Sequence, residues 1–268
     1  MSQPANASRP AVLITGAAAG IGRAIAATFA ARGWTVGLYD IDADAAEHTA
    51  REIGGHTVAG AFDVTDAAGW ERALAEFFAV TGRLDLLVNN AGILYSGAFG
   101  DIALDRQHRL VDVNIKGVLN GCHTALPYLR RTPGSQVINL ASASALYGQP
   151  GLATYGATKA AVRSLTEALD LEWRHYGIPV RDLLPLFVAT DMMTEVAKGS
   201  KSATTLGVRL SPDDVANAVW HTATHRRSIR SSHVLVGVQT KITAAATQLS
   251  PAWLNRLVVG WISKADTL

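Results

Sequence analysis

Short apolar runs alternate with longer stretches of helical periodicity from residue 11 to residue 236, and this order leaves few folds open. Ala11-Val12-Leu13-Ile14-Thr15 is a continuous apolar run, as in a strand covered on both faces. Ile21 to Arg32 carries Ile25, Ala26 and Phe29 at helical spacing and closes on Gly33. Further strands are read at Thr35–Tyr39, His56–Phe62, Leu84–Val88, Gln136–Leu140, Val180–Leu184 and His233–Val236. Helices fall between them, at Asp42–Ile53, at Asp66–Thr81 with Trp70, Leu74, Phe77 and Phe78 as a buried stripe, and at Leu104–Arg131 in two pieces. Two more are read at Tyr155–Tyr176 and Pro212–Thr224. Strand, helix and strand in succession make the strands parallel and put helices on both faces of one sheet. The chain therefore reads as an α/β protein with a three-layer, doubly wound parallel sheet of about seven strands.

Composition narrows the function classes. At 268 residues, 49% hydrophobic and 17% charged, the chain can bury one large core, and no linker or repeat divides it. A net charge of +2 gives no basic footprint for nucleic acid. The single cysteine, Cys122, rules out an intrachain disulfide and reads as a buried thiol. No uncharged apolar run is long enough to span a bilayer, so no integral membrane contact is expected. Arg9 followed by PAVLITGAAAGIG loosely mimics a signal peptide, but this run reads better as a strand entering a phosphate loop, which points to a cytoplasmic protein. His221 and His225 stand four apart without a Glu at 222 or a third ligand, so no metal is expected. Arg226, Arg227 and Arg230 read as a solvated helix end.

Two local patterns carry chemistry. Thr15-Gly16-Ala17-Ala18-Ala19-Gly20-Ile21-Gly22 joins the first strand to the first helix. Small residues there let backbone N–H groups approach a pyrophosphate at a helix N-terminus. Three glycines at this spacing arise by chance about 0.2 times in such a chain, so their place at a strand–helix junction carries the weight. Asp40 ends the second strand, where an acid accepts both ribose hydroxyls and repels a 2′-phosphate; with no basic residue in the loop, this favours NAD over NADP. Asp40 could instead cap the following helix. The second pattern is Tyr155 and Lys159, one helical turn apart on one face, where an ammonium favours a phenolate. About 0.1 such pairs are expected by chance. Ser142, near the end of the Gln136–Leu140 run, offers a hydroxyl to a carbonyl oxygen held before the tyrosine.

Together these residues resemble the short-chain dehydrogenase/reductase family in its compact, single-domain Rossmann form, from Thr15 to about Thr190. The resemblance rests on TGAAAGIG, Asp63-Val64, Asn89-Asn90-Ala91-Gly92, Asn114 in VDVNIKG, Ser142 and YGATKAAV. It implies a catalytic tetrad of Asn114, Ser142, Tyr155 and Lys159. It also implies a nicotinamide cofactor, NAD, held by Gly16, Gly20, Ile21, Gly22, Asp40, Asp63, Val64, Asn90, Ala91, Gly92, Tyr155, Lys159, Val188 and Thr190. Asp63 would meet adenine, Asn114 would hold a proton-relaying water for Lys159, and a small-molecule alcohol or ketone would sit against Ser142 and Tyr155. A homodimer or homotetramer is implied as well. The chain departs from the family at Pro185-Leu186-Phe187, where Pro-Gly is usual, and in lacking Asp-Gly-Gly at the end of HVLVGVQT.

On the substrate side, Leu94, Tyr95, Leu146, Tyr147, Leu152, Phe187, Met192 and Met193 are candidates, and their apolar character points to an apolar or bulky substrate. Residues 194–211 read as a substrate lid, residues 1–9 as a flexible start, and 239–268 as a C-terminal helical extension. In that extension Trp253, Leu257 and Trp261, and Leu254, Val258 and Ile262, recur four apart in an amphipathic helix. It is expected to pack on its own domain first, then on a neighbouring subunit, and last on a membrane surface. Two rival functions stand beside the oxidoreductase: a non-catalytic NAD sensor or scaffold on the same fold, and a dehydratase or epimerase of the extended branch.

Overall fold

A computed structural model describes residues 9–190, 192, 209–225 and 231–263. Seven strands form one parallel sheet: β1 (Ala11–Thr15), β2 (Thr35–Asp40), β3 (Thr57–Ala61), β4 (Leu86–Asn89), β5 (Gln136–Leu140), β6 (Val180–Pro185) and β7 (His233–Val236). Their order is β3-β2-β1-β4-β5-β6-β7. The doubly wound expectation is met, and the reason is visible along β1. Leu13 faces one core layer with Trp70, Phe77, Leu129 and Val162. Val12 and Ile14 face the other, with Ile25, Phe29, Val215 and Val219. A strand buried on both faces reads as a continuous apolar run, as Ala11 to Ile14 of β1 do.

Helices α1 (Gly20–Ala30), α2 (Ala43–Ile53) and α7 (Pro212–Thr224) contribute to the second layer. Helices α3 (Ala67–Thr81), α5 (Gly117–Arg130) and α6 (Ala153–Glu172) contribute to the first. Helix starts follow the punctuation in the sequence: Asp42 and Asp66 cap α2 and α3, accepting from Ala45 N and Ala68 N at 3.0 Å. The long segment after β4 breaks as expected, at a π turn (Asp112–Lys116) between α4 (Leu104–Val111) and α5. Strand order reverses between β1 and β4, so the crevice beyond their carboxyl ends is where such a sheet binds a ligand.

The last strand ends where it is expected to, at Val236: Gly237, at φ 86°, ends β7, and α8 (Val238–Leu249) starts at once. A second helix, α9 (Ala252–Ser263), follows and is tied back by Asn255, whose amide donates to Thr247 O at 2.9 Å and Ser250 O at 3.3 Å. Trp253 and Leu257 are 64% and 62% exposed, so these two side chains stand away from the domain. The side chains of Val258, Trp261 and Ile262 lie outside the described residues. So do most of the expected lid, Met193, residues 1–8 and the Arg226, Arg227 and Arg230 cluster. Cys122 is buried as expected, and burial pushes its thiol up to about 12.

Candidate active site

The first wall of the crevice is made by leaving side chains out. Gly16 and Gly20 hold φ of 63° and 53°, which side-chain-bearing residues rarely adopt. A Cβ on Gly22 would lie 2.0 Å from Gly16 O, so only glycine lets α1 start this close to the loop. Helix α1 begins at Ala19 without a side-chain cap, which leaves its first-turn N–H groups to a ligand. The neighbouring β4 loop locks this shape. Asn90 Nδ2 donates to Thr15 O at 2.9 Å and Gly16 O at 3.0 Å, and Thr15 Oγ1 accepts from Asn90 N and Ala91 N. Gly16 is packed against Ala91, whose Cα would be 2.9 Å from an added Cβ.

Two carboxylates stand at one end. Asp40 does not cap α2, since Asp42 does. Its Oδ2 accepts from Ala18 N at 3.0 Å and its Oδ1 from Ile41 N at 2.8 Å, so the same acid that lines the crevice also braces the glycine loop. Asp63 accepts from Thr65 N and pairs with Arg109 at 2.9 Å. Burial pushes the Asp63 carboxyl up, but the bonds from Arg109 and Thr65 and the Arg109 charge outweigh it, leaving the carboxyl below its usual range.

Ionisable and hydroxyl groups gather at the other end. Ser142 follows β5 and is nearly buried; the phenol of Tyr155, from the first turn of α6, lines the same crevice, near enough for the Ser142 hydroxyl to favour its ionised form. Ser142 Oγ accepts from Ser144 N at 3.2 Å and donates to Ser144 Oγ at 3.3 Å, which in turn donates to Gln149 Oε1 at 3.3 Å. Burial pushes the Tyr155 phenol up to about 12, with the Ser142 hydroxyl acting against it. Burial pulls Lys159 down to about 8. Its Nζ lies 5.7 Å from the Tyr155 ring centroid but donates to Leu140 O at 2.8 Å. The expected lowering of the phenol by Lys159 is therefore not met in this geometry: the amine is turned to the end of β5. Asn114 is fully buried in the π turn. Its Nδ2 donates to Ile93 O and Thr158 Oγ1, and its Oδ1 accepts from Ile93 N, which leaves one oxygen lone pair for a water.

One crevice of about 460 Å³ joins the two ends. Of the expected site residues, Gly16, Gly20, Ile21, Asp40, Asp63, Val64, Asn90, Ala91, Gly92, Ser142, Tyr155, Lys159, Val188 and Thr190 line it. Gly22 and Asn114 do not; Gly22 acts by packing, and Asn114 stands behind Gly92, 3.2 Å from where a Cβ there would be. Leu94 and Met192 line the crevice among the substrate candidates. Leu152 and Phe187 belong instead to the buried interior, and Tyr95 stacks under Arg106 beside a separate hollow. Leu186, at the departure from Pro-Gly, lines the crevice with Pro185 and adds apolar surface there. The sequence reading missed Arg109, the Ser144–Gln149 pair and the Thr15 clamp. An uncapped helix start, a loop that admits no Cβ and an acid at the strand end fit a dinucleotide.

Residues 10–201 match the family model described as short chain dehydrogenase. The chain is 34% identical over 212 residues to 2,5-dichloro-2,5-cyclohexadiene-1,4-diol dehydrogenase LinX of Sphingobium indicum, covering 76% of this chain and 85% of that protein. It is 35% identical over 210 residues to meso-2,3-butanediol dehydrogenase of Serratia marcescens, covering 76% and 83%. The structure of 3-ketoacyl-(acyl-carrier-protein) reductase from Brucella melitensis, complexed with NADH, superposes with a TM-score of 0.78 at 32% identity, over 84% of this chain and 95% of that one.

Proposed function

The chain belongs to the short-chain dehydrogenase family, and on that premise we propose an NAD-dependent oxidoreductase that interconverts a secondary alcohol and a ketone, with Tyr155 as acid and base. The observation that carries this reading is the Ser142 and Tyr155 side chains lining one crevice with the glycine loop, with Lys159 buried one turn along. NAD, when bound, supplies the hydride acceptor. Gly16, Gly20 and Ile21 would receive its pyrophosphate, Asp40 its ribose hydroxyls, and Val188 and Thr190 its nicotinamide end.

In oxidation Tyr155 takes the alcohol proton; in reduction it returns one to the carbonyl oxygen. Ser142 orients that oxygen and can turn its own proton from Ser144 to the phenolate as it forms. Lys159, with its amine pulled down only to about 8, keeps most of its charge at neutral pH, and would have to swing from Leu140 O to bring it to the phenolate. Asn114 keeps Ile93 and Thr158 in place and offers an oxygen to a relaying water. Burial of these groups limits competing water.

Leu94, Leu186, Val188 and Met192 give the substrate end an apolar wall, which supports an apolar or bulky secondary alcohol. The two dehydrogenases above favour a diol. Exposed Leu104, Val111 and Leu119 on α4 and α5 support a homo-oligomer. Steroid-like, aromatic and small polar alcohols, each assayed with NAD and with NADP, separate these readings. Activity confined to small polar diols would end the apolar one. Tyr155→Phe decides against the sensor: turnover falls while NAD binding stays, whereas a sensor would have no turnover to lose.

A further inference from the structure

Helices α8 and α9 turn the wrong faces outward for a tail that merely completes its own domain. On α8 the buried positions are Thr240 and Ala244, while Val238 and Ile242 are 73% and 64% exposed. On α9 the amide of Asn255 turns back to the end of α8, while Trp253, Leu254 and Leu257 stand out. Bulky apolar residues at one-turn spacing on the outer face of an amphipathic helix require a cover. Charge says which. Residues 215–268 hold Arg226, Arg227, Arg230, Lys241, Arg256 and Lys264 against one acid, Asp266, a net +5. The preceding 214 residues hold 18 cations and 21 acids, a net −3. Lys241 is exposed beside Ile242. The tail also lies beyond residue 201, where the family match ends.

We propose that α8 and α9 dock the protein on an anionic lipid surface, with Trp253 and Leu257 in the interfacial layer and the exposed Lys241 on the headgroups. An exposed indole among apolar residues, in a segment whose sequence carries net positive charge, is what an interfacial helix needs. A second copy meeting the same face would set one net-positive segment against another, with no acid between 215 and 265 to relieve it. No helix among the described residues is long and apolar enough to cross a membrane, so the contact is peripheral. The inference stands apart from the reading of the crevice.

The test is co-sedimentation of the full chain with vesicles of phosphatidylcholine alone or with about 30 mol% phosphatidylserine. At least roughly tenfold more protein should bind the anionic vesicles, and binding should fall as salt rises from about 0.1 to about 0.5 M. Trp253→Ser with Leu257→Ser should lower binding roughly tenfold or more without moving the melting temperature, because both side chains are exposed. Lys241→Glu with Arg256→Glu should abolish the preference for anionic vesicles. Equal or absent binding to the two vesicle types would overturn the proposal. So would an oligomer in solution that the Trp253 and Leu257 variant dissociates, which would assign the face to another copy.

Discussion

The two ends of the crevice solve opposite problems. At the glycine loop the protein makes room by omitting side chains, and what it presents is backbone: the uncapped start of α1 and the strained φ of Gly16 and Gly20. At Tyr155 and Lys159 it does the reverse, half-burying a phenol, burying an amine and perturbing both. The first end is intolerant of volume and indifferent to protons. The second should tolerate changes of shape but not of proton inventory.

The largest effect expected is at the second end. Tyr155→Phe removes one oxygen and little volume, and turnover should fall roughly 10²- to 10⁴-fold, the range for a positioned acid or base. NAD affinity, by calorimetry, should be nearly unchanged. If affinity fell as far as turnover, the two ends would not be separable. Gly22→Ala is the converse. A methyl forced to 2.0 Å from Gly16 O must push the loop or helix aside, at about 1 to 3 kcal/mol. Dinucleotide binding should weaken roughly tenfold to a hundredfold, while the pH dependence of what turnover remains keeps its shape. A shifted pH profile would show the ends to be coupled.

The same contrast explains what could be read in advance. Strands, helix caps and the glycine loop were legible because each is written locally: continuous apolar runs, Asp42 and Asp66 before helices, Gly54 and Gly82 after them. What escaped depends on distance. Arg109 meets Asp63 from 46 residues away, and nothing near either residue announces the pair. Lys159 was placed beside Tyr155 by helical spacing, but its amine reaches Leu140 O, an acceptor that only the packing of α6 on β5 supplies. Helix α8 was legible only as part of the extension from 239, for a local reason. Among its described side chains the buried face is Thr240 and Ala244, so it lacks the apolar stripe that marks a packed helix.

The buried amine gives a pH test of stability. Lys159 sits at about 8 when folded and near its ordinary 10.5 when unfolded. Between these values the unfolded chain binds the extra proton, so stability rises with pH across that window. From about pH 7 to 9.5 the gain should be about 2 kcal/mol in the parent relative to Lys159→Met, compared by urea unfolding. Tyr155 works the other way, but only above pH 10, where the unfolded phenol ionises first. Parallel curves for parent and variant would mean that the amine is solvated, and the burial that sets this end apart would be lost.

The smallest effect expected concerns Asp40, the one residue that belongs to both kinds of wall. It lines the crevice as a charge and also braces the loop through Ala18 N and Ile41 N. Asp40→Asn keeps the outline but removes the charge and leaves one of those N–H groups facing an amide donor. The two roles separate in a ratio. A slack loop weakens NAD and NADP alike, since both present the same pyrophosphate. Loss of the charge helps only the cofactor with a 2′-phosphate. The preference for NAD should therefore shrink about tenfold, roughly 1.4 kcal/mol, on top of any common loss. If the KM values for both cofactors rise together and their ratio holds, Asp40 is a brace alone, and the glycine end selects by shape without any help from charge.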